Sequence, residues 1–406
     1  MIELEKSSAD LKKYHHFVHT SGLEVLLIDS SLEIEKRGDT DDPKAAASIS
    51  VNVGSFADPE EAQGLAHFLE HMIFMGSNKY PGENEYGAYV GDHGGGCNAY
   101  TEAEITVYLF DIVATHFSKA LDIFANCFHS PILNMNAIDR EIKSIDSEFN
   151  LAGGSDDNRI LQCQCGSAKK GHILRKFSWG NFASLKDRPK QSGVDVYALL
   201  RAFYQKHYQP SSMKLVVMAP KSIEELKTDV ENSFGNWEKT FPILCSNDPI
   251  PQDGMYNLPS QSECLTNVGM PYSSNELGIL SRVVPLKRGH HVEIVWQINT
   301  QKHLYRTKPC RYLGHVCGHE GPGSLLSGLK KCGLALSVIA GDCEDSLMNN
   351  SVFDIFQITV VLTEKGLANW PLVIRLVMNY CRMIQEATPQ KWIWEECEAI
   401  ERLHFD

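Results

Sequence analysis

The sequence predicts an α+β protein of two related domains, and three observations support that prediction. Alternating strand patterns and amphipathic helical patterns follow one another through residues 1–240. These patterns stop in residues 241–278, which are rich in Pro, Asn, Ser and Gly and are typical of an interdomain connection. A similar order of strands and helices begins again in residues 279–406. We expect each domain to be a mostly antiparallel sheet packed by helices.

The first domain is predicted to open with two strands, GLEVLLIDS and AASISVNVGSF, because both are rich in β-branched and aliphatic residues. A helix should begin after Asp58 as N-cap, with Pro59 as its first residue, and should end near Gly76. We then expect a helix over 83–92 and one half-buried strand over CNAYTEAEITVYLFDIV. The remaining predicted elements are helices at 116–128, 136–151 and 194–207, the strand KLVVMAP and the helix SIEELKTDVENSF.

The second domain is predicted to repeat this order without repeating the motif described below. We expect strands at HVEIVWQI, LALSVIAG and VFDIFQITVVLT, and helices at 312–317, 324–331 and 367–386. The last segment, PQKWIWEECEAIERLHFD, has helical periodicity but no glycine cap or turn signal after it. The second domain is therefore predicted to be incomplete.

Composition narrows the classes of function. A net charge of −13 over 406 residues would repel a phosphate backbone, so nucleic acid is not an expected partner. No stretch approaches the roughly 18 apolar residues that a membrane span needs. The twelve cysteines form no paired framework, which is typical of reduced thiols. We expect a cytoplasmic protein that does not contact membranes.

The most informative motif is the segment that contains His67, Glu70 and His71. A helix turns by about 100° per residue, so these three side chains share one sector of a helix that is otherwise apolar. Neutral imidazoles are good zinc ligands, and an adjacent carboxylate can take a proton from a water that the metal activates. The alternative interpretation is a pair of core histidines hydrogen-bonded to backbone carbonyls.

A zinc site of this kind needs a third ligand, and the helix in AIDREIKSIDSEFNLA offers two candidates. Glu141 and Glu148 both lie at the border of its apolar stripe, and helical geometry alone favours neither. His93, in GDHGGG, is a weaker candidate. A separate pair, His315 and His319, has ligand spacing, but Gly321-Pro322-Gly323 ends that helix at once.

The segments around these residues resemble a known family. GLAHFLEHMIFMGS carries the inverted zinc motif of the inverzincin metallopeptidases. The chain is similar to their insulin-degrading enzyme, nardilysin and pitrilysin family, and more closely to the nardilysin branch. The other segments that carry the resemblance are KYPGENEY, CNAYTEAEITVYLFD, DREIKSIDSEF, KFSWGN and YLGHVCGHEGPGSLLS.

The resemblance implies roles for individual residues of the metal site. It implies that His67, His71 and Glu148 bind one Zn²⁺ ion and that Glu70 is the general base. Glu141 would support the site without binding the metal. In the family, the counterpart of the histidine pair in the second domain does not bind the metal.

The resemblance also implies where a peptide lies. Its backbone would add to an edge strand at Asn98, Ala99 and Tyr100. Its N-terminal part would be anchored in the second domain, in the region of Gly321, Gly323 and Gly341.

Two functions are predicted, in order of preference. The first is a zinc-dependent endopeptidase, the N-terminal half of such an enzyme, that hydrolyses oligopeptides. Family members are longer chains of four such domains, whose two halves close around a chamber. The alternative is therefore a peptide-binding or scaffold fragment with little or no turnover. Expected partners are peptide substrates and either further copies of this chain or a C-terminal half.

Overall fold

A computed structural model of the chain describes residues 5–38, 42–235, 237, 256, 258–287 and 289–405. Part of the predicted connection, residues 241–255 and 257, lies outside the described residues. The strands are β1 (Lys13–Val18), β2 (Glu24–Asp29), β3 (Lys44–Val51), β4 (Gly96–Thr101), β5 (Thr106–Val113), β6 (Met213–Ala219), β7 (His291–Asn299), β8 (Ala335–Asp342) and β9 (Phe353–Leu362).

Most of the longer helices agree with the periodicity of the sequence. They are α1 (Ser31–Arg37), α2 (Leu65–Ile73), α3 (Glu85–Asp92), α4 (Phe117–His129), α5 (Ile138–Ala152), α6 (Asp156–Ser167), α7 (Arg188–Gln191), α8 (Val196–His207), α9 (Ile223–Phe234), α10 (Gln261–Leu265), α11 (Pro309–Gly318), α12 (Leu325–Lys331), α13 (Glu364–Ala368), α14 (Trp370–Glu386) and α15 (Lys391–Phe405). None of the described helices combines the length and apolar composition that crossing a membrane requires.

The described residues form two compact units. The first unit comprises residues 8–152 and 176–266, and the second comprises 5–7, 153–175 and 267–405. The predicted domain bounds remain a prediction. The compact units differ from them because residues 153–175, which include α6, group with the second unit.

The first unit is built on a six-stranded sheet in the order β1-β2-β6-β3-β5-β4. Only β2 and β6 run parallel, and every other pair in the sheet is antiparallel. Alternate residues of β3 are buried, as expected of a strand with one core face. They pack with aromatic residues of α4 and α8 such as Phe124 and Phe203, which are fully buried. This core supports the helices that carry the motif.

The second unit is built on a smaller antiparallel sheet in the order β7-β9-β8. Ile358 and Val360 of β9 are fully buried against Leu326 of α12 and Val373 of α14. Both units therefore combine a mostly antiparallel sheet with packed helices, and the predicted α+β fold class is confirmed.

Two local predictions were wrong. The motif helix begins at Leu65, six residues later than predicted, because residues 60–64 form turns. The predicted strand over 97–113 is two strands, β4 and β5, joined by a tight hairpin in which the Glu102 N–H donates to the Ile105 carbonyl. The pattern also gave no signal for β1, α1, α6, α7 or α10.

Candidate metal centre

Helix α2 presents two imidazoles on one side and packs its other sides into the core. Leu65, Phe68 and Met72 are fully buried. The side chains of His67 and His71 lie one turn apart, with their ring centroids separated by 5.0 Å, and each keeps a small exposed fraction. The i, i+4 spacing therefore places both rings at an opening of the core.

Helix α5 brings carboxylates to the same opening. Ile142 and Ile145 are fully buried and attach the helix to the core of the first unit. Glu141 and Glu148, two turns apart on this helix, consequently face α2. The Glu141 side chain is mostly buried, whereas that of Glu148 is 42% exposed.

Two histidine nitrogens and one carboxylate converge in this opening. The Nε2 atoms of His67 and His71 are each 3.6 Å from a different oxygen of the Glu148 carboxylate. The three side chains form a group whose potential ligand atoms all lie within 4.8 Å of one another. Ligand atoms bound at about 2.1 Å in a tetrahedron are about 3.4 Å apart, so this spacing fits a Zn²⁺ ion with three protein ligands.

Both imidazoles are oriented by groups outside this trio. The Nδ1 atom of His67 is 2.6 Å from the backbone carbonyl of Trp179, so Nδ1–H donates and Nε2 is left as a lone-pair donor. The Nδ1 atom of His71 lies 3.5 Å from a Glu141 oxygen. The other Glu141 oxygen accepts from Nε of Arg140 at 3.0 Å. Such partners hold each ring in the tautomer that a metal requires.

The Trp179 carbonyl reaches His67 because two glycines touch at the start of α2. Gly64 has φ +92° and Gly180 has φ +79°. A Cβ atom added at Gly64 would lie only 2.2 Å from the Gly180 Cα. No other residue allows the two backbones this approach together with a positive φ.

Asp58 holds the N-terminus of α2 from six residues upstream. Its buried carboxylate accepts from the backbone N–H groups of Gly64 at 2.7 Å and Ala66 at 2.8 Å. Burial raises the pKa of Asp58 to about 7, although these N–H groups and the charge of Lys176 act in the opposite direction. Lys176 also donates to the Asp58 backbone carbonyl at 2.8 Å. The N-cap position itself is held by Gly64, so the predicted N-cap role of Asp58 is wrong, although its carboxylate still bonds to N–H groups at the start of α2.

Glu70 lies on α2 beside the imidazoles and is buried. Its Oε2 accepts a 2.6 Å hydrogen bond from the Thr101 hydroxyl of β4. Burial raises the pKa of the Glu70 carboxyl, and the neighbouring His67, the Thr101 hydrogen bond and His71 partly offset this increase. A buried carboxylate of raised pKa is a better proton acceptor than an exposed one.

The other candidate ligands lie elsewhere. The His93 ring packs on Tyr89 and His116, with a centroid distance of 4.0 Å to His116. In the second unit, the His315 and His319 rings are 5.9 Å apart, and the His319 Nδ1 accepts from the Gly321 N–H. Within the described part of the chain, the His67, His71 and Glu148 group is the one cluster of three or more potential ligands.

The predicted substrate strand is the edge strand β4. Asn98 and Tyr100 are exposed, and Ala99 packs partly against the core. Hydrogen-bonded and non-hydrogen-bonded pairs alternate along an antiparallel ladder. Since Glu102 is bonded to Ile105, the backbone groups of Ala99 point away from β5, toward the open side of the sheet. The predicted peptide-anchoring glycines lie in the second unit: Gly321 and Gly323 precede α12, and Gly341 is in β8.

Three contributors to the site were missed by sequence reasoning. The Trp179 carbonyl is a backbone group and leaves no side-chain signal, although the glycine after it marks an unusual turn. Thr101 directly follows the predicted substrate strand, and strand alternation from Ala99 would have placed it on the same face. The contact of Lys176 with the loop before α2 spans more than one hundred residues and has no local signal.

Comparison with known proteins adds a family context. The family model described as "Insulinase (Peptidase family M16)" matches residues 34–162, which include His67, Glu70, His71 and Glu148. The model described as "Peptidase M16 inactive domain" matches residues 196–400.

Individual relatives match most of this chain. Nardilysin of Rattus norvegicus is 38% identical over 92% of this chain and 30% of its own length. Insulin-degrading enzyme of Homo sapiens is 33% identical over 99% of this chain and 36% of its own length. The crystal structure of pitrilysin has a TM-score of 0.81 at 27% identity, covering 97% of this chain and 38% of pitrilysin. The chain therefore spans about a third of the length of these relatives.

Proposed function

The chain belongs to the insulinase family of peptidases, family M16, and from that premise we propose that it is a zinc-dependent endopeptidase half that hydrolyses oligopeptides. The observation that carries the proposal is the convergence of His67, His71 and Glu148 beside a buried Glu70. We further propose that the first three residues bind a single Zn²⁺ ion and that Glu70 is the general base.

The chemistry divides between the metal and the side chains. Zinc, when bound, supplies a Lewis acid that polarises a carbonyl oxygen and makes a nearby water more acidic. Glu70 accepts the proton of the attacking water. Thr101 engages Oε2 of Glu70, which leaves Oε1 for that water. Glu70 then returns the proton to the leaving amine, so one carboxyl group serves both halves of the hydrolysis.

We propose that the substrate backbone pairs with the edge strand β4. Its open side carries the N–H and carbonyl groups of Ala99, which an extended peptide can pair with as an added strand. Thr101, on the same strand, contacts Glu70. A peptide paired along Asn98, Ala99 and Tyr100 would therefore run toward the general base.

Turnover is tested with a quenched fluorescent peptide and zinc. Glu70→Gln should abolish cleavage, because an amide cannot accept the proton, while zinc binding should persist because Glu70 is not a ligand in the proposal. Glu224→Gln makes the same chemical change on the exposed surface of α9 and should leave the rate unchanged. Equal rates for the native chain and Glu70→Gln would overturn the proposal, and no cleavage by either would support a peptide-binding protein without turnover.

A further inference from the structure

Residues 176–187, which we call the bridging segment, contact both helices that carry the proposed zinc ligands or the loops leading into them. The carbonyl that orients His67 belongs to this segment, at Trp179. The segment follows residues 153–175, which group with the second unit, whereas the segment itself and α5 belong to the first unit. Its position against α5 is therefore set by noncovalent contacts within the first unit.

The bridging segment is attached firmly on the α2 side. The Phe177 N–H donates to the Gln63 side-chain oxygen at 3.0 Å, and the buried Ser184 hydroxyl donates to the Gln63 carbonyl at 2.8 Å. Leu185 is fully buried in the core of the first unit. These contacts fix the segment to the loop that leads into α2.

One side chain of α5 holds the backbone of the same segment. The Asp146 carboxylate accepts from the Phe182 N–H at 2.9 Å, and its other oxygen accepts from the Asn150 amide at 3.2 Å. Phe182 stands directly before the π-helical turn Ala183–Asp187, which α7 continues. A helix leaves its first N–H groups without internal partners, and negative charge is favourable there. Asp146 therefore caps this turn from a different element.

Two further contacts join α5 to the bridging segment, and both restrain its main chain less. The Phe149 and Phe177 rings pack edge to face, with their centroids 5.1 Å apart. Lys186 forms a 2.7 Å ion pair with Asp139, whose side chain is 66% exposed, and exposed pairs contribute little. The hydrogen bond of Asp146 is directional and has a backbone N–H as its donor, so it fixes the main chain itself.

This hydrogen bond lies between the two sides of the metal centre. Asp146 precedes Glu148 by two residues on α5, and Phe182 follows Trp179 by three residues. The bond therefore joins a point beside the carboxylate ligand to a point beside the carbonyl that orients His67. The Nε2 atom of His67 is 3.6 Å from a Glu148 oxygen, which closes the circuit from α2 through the segment to α5.

We propose that Asp146 is a positioning residue of the metal centre, which keeps the Trp179 carbonyl on His67 in register with Glu148. The proposal rests on the zinc site proposed above. Without this hydrogen bond, the segment can shift against α5, and His67 can turn without a matching movement of Glu148. A zinc ion needs both ligand atoms at about 2.1 Å at the same time, so its binding would then include the cost of ordering them.

The test is the zinc affinity of the whole chain, measured by competition with a chromophoric chelator, which requires no turnover. Asp146→Ala removes the acceptor. It should lower zinc affinity about 3- to 10-fold, less than the loss of a group that touches a ligand directly. Asp146→Asn keeps an oxygen that can accept from the Phe182 N–H, so its zinc affinity should stay within about twofold of the native value.

Asp195→Ala is the matched control. The Asp195 carboxylate also accepts from a backbone N–H at the start of a helix, that of Tyr197 at 2.9 Å in α8, so its loss should lower the stability comparably. It should leave zinc affinity unchanged. With Co²⁺ in place of Zn²⁺, the visible absorption reports the geometry of the ligands. The spectrum should change in Asp146→Ala and match the native spectrum in Asp146→Asn and Asp195→Ala.

The possible outcomes separate this proposal from the zinc site on which it rests. A native chain that binds no zinc would overturn the metal site and the role of Asp146 with it. A native chain that binds zinc, with equal affinities in Asp146→Ala and Asp195→Ala, would overturn the role of Asp146 alone. Asp146→Asn binding as weakly as Asp146→Ala would also overturn that role, because the hydrogen bond would then not be the cause.

Discussion

Replacing Gly64 by alanine tests whether a backbone contact orients the metal centre. The new Cβ would lie 2.2 Å from the Gly180 Cα and 2.6 Å from its nitrogen. Ordinary carbon contacts are about 3.5 Å or longer, so the segment must retreat by about 1 Å. The carbonyl of Trp179, now 2.6 Å from His67, would then be beyond hydrogen-bond distance.

The expected loss of stability in Gly64→Ala has two causes. A non-glycine residue at the positive φ of Gly64 costs about 1–2 kcal/mol. The lost hydrogen bond and the displaced backbone add about 1–2 kcal/mol more. The free energy of unfolding should therefore fall by about 2–4 kcal/mol. Removing a partner that orients a metal-binding histidine typically lowers metal affinity by about 10- to 100-fold.

Gly193→Ala is the matched control, because Gly193 also has a positive φ, +70°, but no atom lies within 4 Å of an added Cβ. Gly193→Ala should lower the free energy of unfolding only by the cost of a non-glycine residue at positive φ, about 1–2 kcal/mol, and should leave the zinc affinity unchanged. Urea unfolding measures the stability, and competition with a chelator measures the zinc affinity. If Gly64→Ala matched Gly193→Ala in both measurements, the orienting role of the glycine contact would be refuted.

The remaining predictions concern single side chains. Glu148→Gln should lose most zinc in metal analysis, whereas Glu70→Gln should keep it; full occupancy in Glu148→Gln would exclude Glu148 as a ligand. Thr101→Val should lower kcat up to about tenfold with little change in KM, since it removes one hydrogen bond from the base; a change in KM alone would contradict this. Asp58 has its folded pKa raised from 3.8 to about 7, so the fold favours its neutral form. The contribution of neutral Asp58 to the free energy of unfolding is on the order of 4 kcal/mol. It is fully present below pH about 4 and is lost as the pH rises through about 7. Urea unfolding between pH 4 and pH 8 should therefore show a smaller decline in stability for Asp58→Asn than for the native chain, and identical declines would refute the assignment.

Most elements could be predicted from local patterns, and the two wrong predictions share a physical cause. The start of α2 was placed too early because the Asp58-Pro59 signal is local. The Asp58 carboxylate instead bonds to backbone groups six and eight residues away, in a loop that Lys176 also holds. The hairpin between β4 and β5 lacks glycine and proline, so no turn signal marks it. Its carbonyls at Glu102 and Ala103 accept from the N–H groups of Ser55 and Phe56, a tertiary contact.

The sequence by itself determined the part of the site that one helix can define. The spacing of His67, Glu70 and His71 is sufficient to place two imidazoles and a carboxylate together, because a helix has a fixed angle per residue. Glu141 and Glu148 remained equivalent at that level, since both border the same apolar stripe of α5.

The family resemblance implied a different role for each of these carboxylates, but only the tertiary structure gives the physical reason. The packing of α5 against α2 brings the Glu148 oxygens to the Nε2 atoms of both histidines, while Glu141 lies against the Nδ1 of His71. The orienting carbonyl of Trp179 likewise depends on a contact between two distant glycines. A local pattern fixes which face a side chain occupies, but the distance between two helices is set by core packing, and that distance decides which atoms can share a metal ion.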